Sequence, residues 1–232
     1  MVSISIKKKV IPMEQEELFK ALQQYVEKKA LQPGAKLESE TILAQKFSVS
    51  RYRIRQVLER LRQMGILDRV KRRGSVVKNV DQMALSNNLS LQMHVAGFNQ
   101  DEYSEARLVL EMGIIPLVCK RQTPALIGSL QDEINAIRST SNDALLADEH
   151  LKNFHIILIQ GCGNRVLQTL SSIVVKYFDN THNLIASAPA DYFLQAADEL
   201  QAVLTELKAK NVRKTAQLLT QYLKKHSEFS VE

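Results

Sequence analysis

Five arginines, Arg51, Arg53, Arg55, Arg60 and Arg62, stand in a short stretch that holds one acid, Glu59. A planar guanidinium grips a guanine edge or a phosphate with two parallel donors, so several such forks on one helix suit entry into a DNA groove. A merely solvated face would interleave Glu with Arg. Ile54, Val57, Leu58, Leu61 and Met64 recur between the arginines at helical spacing. At about 100° per residue Ile54, Val57, Leu58 and Leu61 form the core stripe. Arg51, Arg55 and Arg62 leave from one flank, Arg53 and Arg60 from the other, and Tyr52 and Gln56 point furthest from the core. A second set of polar groups lies further on. Arg107 sits within the apolar pattern Ala106, Leu108, Leu110, with Glu111 at i+4 as an intrahelical partner, and His155 follows Phe154.

The elements that position the arginines are legible around them. Apolar residues from Leu18 to Ala30 give a first helix over 14–30, which stops before Gln32-Pro33-Gly34. Ser39 has the chemistry of an N-cap for a short helix ending near Phe47. Ser48-Val49-Ser50 then supplies a turn and a second N-cap, and the arginine-bearing helix closes at Gly65. Ile66, Leu67 and Val70, then Ser75-Val76-Val77, read as two short strands about the basic turn Lys71-Arg72-Arg73-Gly74. A short helix, a tight turn, a longer helix and a basic hairpin are the parts of a winged helix-turn-helix, whose second helix presents its N-terminal residues to the major groove.

Beyond residue 80 the periodicity is helical throughout, over 81–94, 100–121, 124–138, 142–160, 164–186, 190–209 and 212–228, with no strand signal. The predicted fold is therefore mostly α: a winged helix-turn-helix over 10–79 and an all-helical bundle over 80–232. Charge supports the cut. Residues 1–80 carry 18 Lys and Arg against 8 Asp and Glu, a net of +10, whereas 81–232 carry 13 against 17, a net of −4. A basic module beside an acidic one is the footprint of a nucleic-acid binder with a second task. Cys119 and Cys162 stand in apolar helical surroundings and indicate no disulfide framework, the N-terminus reverses the secretory pattern, and no run reaches the length of a membrane span. The expected setting is the cytoplasm. No Ser-His-Asp order, glycine-rich phosphate loop or His-Glu-X-X-His spacing is present, so catalysis is not expected.

The run Leu31-Gln-Pro-Gly-Ala-Lys-Leu-Glu-Ser-Glu, with Leu43-Ala44, Val49-Ser50-Arg51, Ile54-Arg55, Leu58, Leu61, Gly65-Ile66 and Arg73-Gly74, resembles the DNA-binding domain of GntR-family bacterial transcription regulators. The resemblance covers about 14–79 and implies operator contact by Arg51, Arg55 and Gly74. With the positions around them, the expected DNA-contacting set is Ser39, Thr41, Ser50, Arg51, Tyr52, Arg53, Arg55, Gln56, Arg72, Arg73 and Gly74. Thr41 stands where the family usually has Arg, and Arg53 where it usually has Pro, so the operator is expected to depart from the common half-site.

Glu105-Ala-Arg107-Leu-Val-Leu-Glu111, Asn153-Phe154-His155 and Gly163-Asn164-Arg-Val-Leu167 resemble, in that order, the helical FCD-type effector domain of the FadR-like branch. The resemblance implies a homodimer that binds a small effector, an organic acid or related metabolite. Many members hold a divalent cation with one Asp and three His. Here Leu151, Leu200 and Tyr222 occupy three of those positions and only His155 remains, so no metal is expected. His150 and His155 diverge by about 140° around their helix and do not repair the loss. Arg107, His155 and Tyr222 are the candidate effector contacts, His155 serving either as a buried structural histidine or as a hydrogen-bond donor to the effector. Asn164 reads as an N-cap.

These readings converge on a sequence-specific repressor that binds a palindromic operator in double-stranded DNA under effector control. The alternative is a non-specific DNA-coating or protein-interaction module.

Overall fold

The computed structural model describes residues 14–29, 32–79, 82–177 and 188–227. The chain divides into two compact units, Met1–Asp81 and Gln82–Glu232. Residues 10–13 of the expected DNA-binding domain, Leu31 of the motif and the 178–186 part of the fifth expected sensor helix lie outside the described residues.

The first unit contains α1 (Gln15–Lys29), α2 (Glu40–Lys46), α3 (Arg51–Gln63), β1 (Leu67–Val70) and β2 (Gly74–Val77). Ser39 Oγ accepts the Ile42 N–H and Ser50 Oγ accepts the Arg53 N–H, each at 3.3 Å, so each serine satisfies a donor that its helix start leaves open. The tight turn between α2 and α3 is set from the other side as well. Ser48 adopts φ 52° and, with Val49, bonds back to Gln45 and Ala44, which is the Schellman arrangement of a helix end. Gly65, at φ 72°, closes α3 in the same way, with Ile66 N–H on Leu61 C=O at 3.0 Å. Ile54, Val57, Leu58 and Leu61 of α3 pack into a core with Leu18 and Leu22 of α1, Leu43 of α2, and Leu67 and Val77 of the hairpin.

β1 and β2 pair antiparallel, Leu67 opposite Val77 and Val70 opposite Gly74. Arg72 at φ 66° and Gly74 at φ 83° turn the chain between them. The structure adds a pairing that the periodicity does not show. Gly34 to Leu37 run along the free edge of β2, with Leu37 N–H on Ser75 C=O and Val77 N–H on Ala35 C=O, around an isolated bridge from Lys36 to Val76. This extra edge secures the wing to the segment that leads into α2.

The second unit is helical: α4 (Gln82–Val95), α5 (Gln100–Arg121), α6 (Pro124–Ser139), α7 (Ala144–Gly161), α8 (Arg165–Tyr177), α9 (Ala190–Lys208) and α10 (Val212–Ser227). Asn99 with Glu102 forms a capping box for α5, Thr123 and Asp143 cap α6 and α7, and Asn164 Oδ1 accepts from Val166 and Leu167 at the start of α8. Ile114 and Val118 of α5, Ile134 of α6, Phe154 and Leu158 of α7, Phe193 and Leu204 of α9 and Leu219 of α10 meet in one core. Leu151 and Leu200 are members of that core. Among the described residues no helix is long and apolar enough to cross a membrane.

Candidate functional site

Burial of the apolar stripe turns the rest of α3 outward, and its two arginine flanks meet different surroundings. On one flank Arg53 Nε donates to Gln15 Oε1 at 3.0 Å, and Arg60 pairs with Glu16 at 3.0 Å while lying over the Phe19 ring. That flank is turned toward α1. On the other, Arg51, Arg55 and Arg62 line a concavity shared with Arg69, Arg72 and Arg73 of the wing. Ser39, Thr41 and Gly74 line the same concavity, so residues far apart in sequence share one basic surface.

Its geometry is not uniformly positive. Arg55 donates to Glu40 Oε2 through both Nε, at 3.2 Å, and Nη2, at 3.0 Å, and this contact pushes the guanidinium pKa up. Arg62 bonds Ser75 Oγ at 3.2 Å and also pairs with Glu59, tying α3 to the wing. Tyr52 is 68% exposed at the tip of the helix, and its hydroxyl accepts from Gln56 Nε2 at 2.9 Å. The hydroxyls of Ser39 and Ser50 are engaged as caps. Glu40 is the functional neighbour that sequence reading does not single out; its place beside the Ser39 cap is the available signal.

The second unit holds a chain of buried polar groups. Arg107 Nε donates to Glu111 Oε1 at 2.7 Å, and Glu111 Oε2 lies 2.6 Å from His155 Nδ1. The intrahelical Arg107–Glu111 pair expected from the spacing is thus present, and Glu111 uses its second oxygen for a contact with His155 that the spacing does not show. Glu111 and His155 are each 1% exposed. Burial alone would raise the Glu111 carboxyl, but His155 and Arg107 outweigh it and hold the pKa at about 2. Burial pushes the imidazole of His155 down, so the ring is neutral and its Nδ1–H donates to the carboxylate. Tyr222 stacks on His155 at 5.5 Å between centroids, His226 follows Tyr222 at 4.4 Å, and Tyr192 meets His226 at 5.0 Å. Burial raises the Tyr192 phenol to about 12 and the Tyr222 phenol further still. Asp148 is buried at 4% and pairs with Lys152 at 2.8 Å. It lies seven residues before His155, on the same helix face, and that spacing is the signal for its burial.

Known proteins place both halves. A family model for bacterial regulatory proteins of the gntR family matches residues 14–77, and one for the FCD domain matches 102–225. The chain belongs to the gntR family, in its FCD-bearing branch. Family members are transcription regulators. The chain is 28% identical over 158 residues to the HTH-type transcriptional regulator LutR of Bacillus subtilis, covering 66% of this chain and 72% of LutR. It is 29% identical over 182 residues to an uncharacterized HTH-type transcriptional regulator of Mycobacterium tuberculosis, covering 77% of this chain and 71% of the relative. The solved structure of Streptococcus agalactiae GntR has a TM-score of 0.59 at 19% identity, covers 93% of this chain and 99% of its own, and shows a shared fold.

The metal of many FCD domains does not fit these residues. Leu151 and Leu200 carry no donor atom, and the Tyr222 phenol is driven away from the phenolate that would ligate. His155 has its Nδ1 committed to Glu111. His150 is paired with Glu133 at 2.7 Å and His226 with Glu199 at 3.0 Å, so these three histidines are held by three different glutamates. Among the described residues no group of three or more His, Cys, Asp and Glu is placed to hold an ion.

Proposed function

We propose that this gntR-family regulator is a homodimeric repressor of the cytoplasm that reads a palindromic operator and is released by a small-molecule effector. The observation that carries the reading is the continuous basic concavity formed by Arg51 and Arg55 of α3 with Arg72 and Arg73 of the wing. In this reading the N-terminal turn of α3 enters the major groove. Arg51 and Arg55 grip a base edge or a phosphate, and Tyr52, Arg53 and Gln56 read beside them. Ser39, Thr41 and Ser50 lie against the phosphate backbone, and Arg72, Arg73 and Gly74 bring the wing to the flanking groove.

The sensor unit supplies the dimer and the effector site. Leu89, Val109 and Leu170 are exposed around an apolar concavity formed by α4, α5 and α8, and contiguous exposed apolar surface of this kind marks protein interfaces. A second copy covers it, which gives the two heads that a palindrome requires. Arg107, His155 and Tyr222 form the polar centre against which the effector binds. Family resemblance points to an organic acid or related metabolite. No catalytic role is assigned to the chain.

The test is binding to DNA from immediately upstream of the protein's own gene against scrambled DNA, at two salt concentrations. A strong preference for the upstream fragment, with affinity falling as salt rises, supports the repressor reading. Equal weak binding to both would favour a non-specific coating or protein-interaction role, or an operator elsewhere in the genome.

A further inference from the structure

The buried centre of the sensor unit narrows the chemistry of what it binds, an inference that rests on reading this unit as the effector domain. His155 is 1% exposed, and its Nδ1–H is taken by Glu111. In the neutral ring the other nitrogen, Nε2, is then a bare acceptor. It is buried without a hydrogen-bond partner among the described residues. A buried polar atom in this state is costly, and a native core normally provides it with a donor.

Among the described residues, the charges around it leave little to attract an anion. Arg107 is matched by Glu111, Lys152 by Asp148 and Lys225 by Glu199. Leu151, Leu200 and Tyr222 bring no cationic group to this centre. A carboxylate presented to Nε2 would set acceptor against acceptor.

We propose that the effector of this protein is held without a metal and donates an O–H or N–H hydrogen bond to His155 Nε2, making it a neutral hydroxyl- or amide-bearing molecule rather than a simple carboxylate. The Tyr222 ring stacked on His155 fixes the plane of the imidazole and so the direction from which the donor arrives.

The test uses the full-length protein with ¹⁵N-labelled histidine, the His155 signals being assigned by their loss in His155→Phe. Acetamide and acetate, equal in shape and different in donor capacity, are added separately at high millimolar concentration after chelation, and Zn²⁺ is added in a third sample. The expected result is an unprotonated Nε2 that moves with acetamide, responds to acetate at least about tenfold more weakly, and ignores Zn²⁺. Movement with acetate alone or with both equally, a proton resident on Nε2, or displacement by Zn²⁺ would overturn the proposal. Silence toward both organic probes would overturn it too, since Nε2 would then be sealed within the core. Operator titration of the wild-type protein, run alongside, separates these outcomes from failure of the regulator reading: absence of operator binding would overturn that reading, whereas the acetamide and acetate responses at Nε2 decide the present proposal.

Discussion

Arg55 is the residue on which the DNA reading turns most sharply, because its fork is already oriented by Glu40 before any DNA is present. Arg55→Ala is expected to weaken operator binding about tenfold to a hundredfold, and comparison with random DNA tells a base contact from a phosphate contact. Glu40→Gln is expected to act in the opposite sense on random DNA, strengthening it by removing a negative charge, while discrimination falls because the fork loses its guide. An unchanged specific-to-random ratio would deny Glu40 that positioning role. In the sensor unit, pH reports on Glu111 and His155 together. The Glu111 carboxyl lies at about 2 when folded against an ordinary 4.5, so its stabilisation is present above pH 4.5 and is lost as pH falls toward 2. His155 adds in the same direction, since the folded protein resists the proton that the unfolded chain takes up below 6.5. Glu111→Gln, which breaks a buried pair, is expected to cost about 3 kcal/mol at neutral pH and to flatten the acid limb of the melting profile; an unaltered acid limb would mean that the carboxyl is not ionised in the core. Sequence spacing discloses Arg107 and Glu111 as neighbours, but the second oxygen of Glu111 meets a histidine 44 positions away. That contact belongs to the packing of α5 against α7 and leaves no local trace.

Helix boundaries follow caps, which is why most elements are legible before any tertiary contact is known. Ser39, Ser50, Asn99, Thr123 and Asp143 all have side chains that stop a helix at the place where the periodicity begins. The edge formed by Gly34 to Leu37 is different: it is too short to show alternation, and it exists because β2 offers unpaired backbone groups to it. The start of α3 joins element to function, since the Ser50 hydroxyl holds the turn that carries Arg51, Arg53 and Arg55. Ser50→Ala is expected to cost about 1 kcal/mol of stability through the lost cap. Ser50→Asp keeps the cap acceptor but sets a carboxylate where DNA phosphates arrive, so thermal stability should be retained while operator affinity collapses. If Ser50→Asp bound operator as wild type does, the N-terminus of α3 would not be at the DNA.

For the molecule as a whole, charge and symmetry make one quantitative claim. The net +10 of residues 1–80 concentrates the counterion-releasing groups in the DNA-reading unit, while the exposed apolar face is in the other. Each phosphate contact contributes about −0.9 to the slope of log affinity against log salt, so two heads docked together should show about twice the slope of one. Val109, 71% exposed on α5, is the position at which this doubling can be removed without disturbing a core. Within the interface proposed on α4, α5 and α8, Val109→Asp would bury a charge without a partner, which is unfavourable. The variant is expected to sediment at the mass of a single chain, to melt as wild type does at low concentration, and to bind operator with about half the wild-type salt slope. A variant that stays dimeric would move the interface away from α4, α5 and α8. A variant that becomes monomeric yet keeps the full slope would mean that one head makes every phosphate contact, and the palindrome would lose its physical basis.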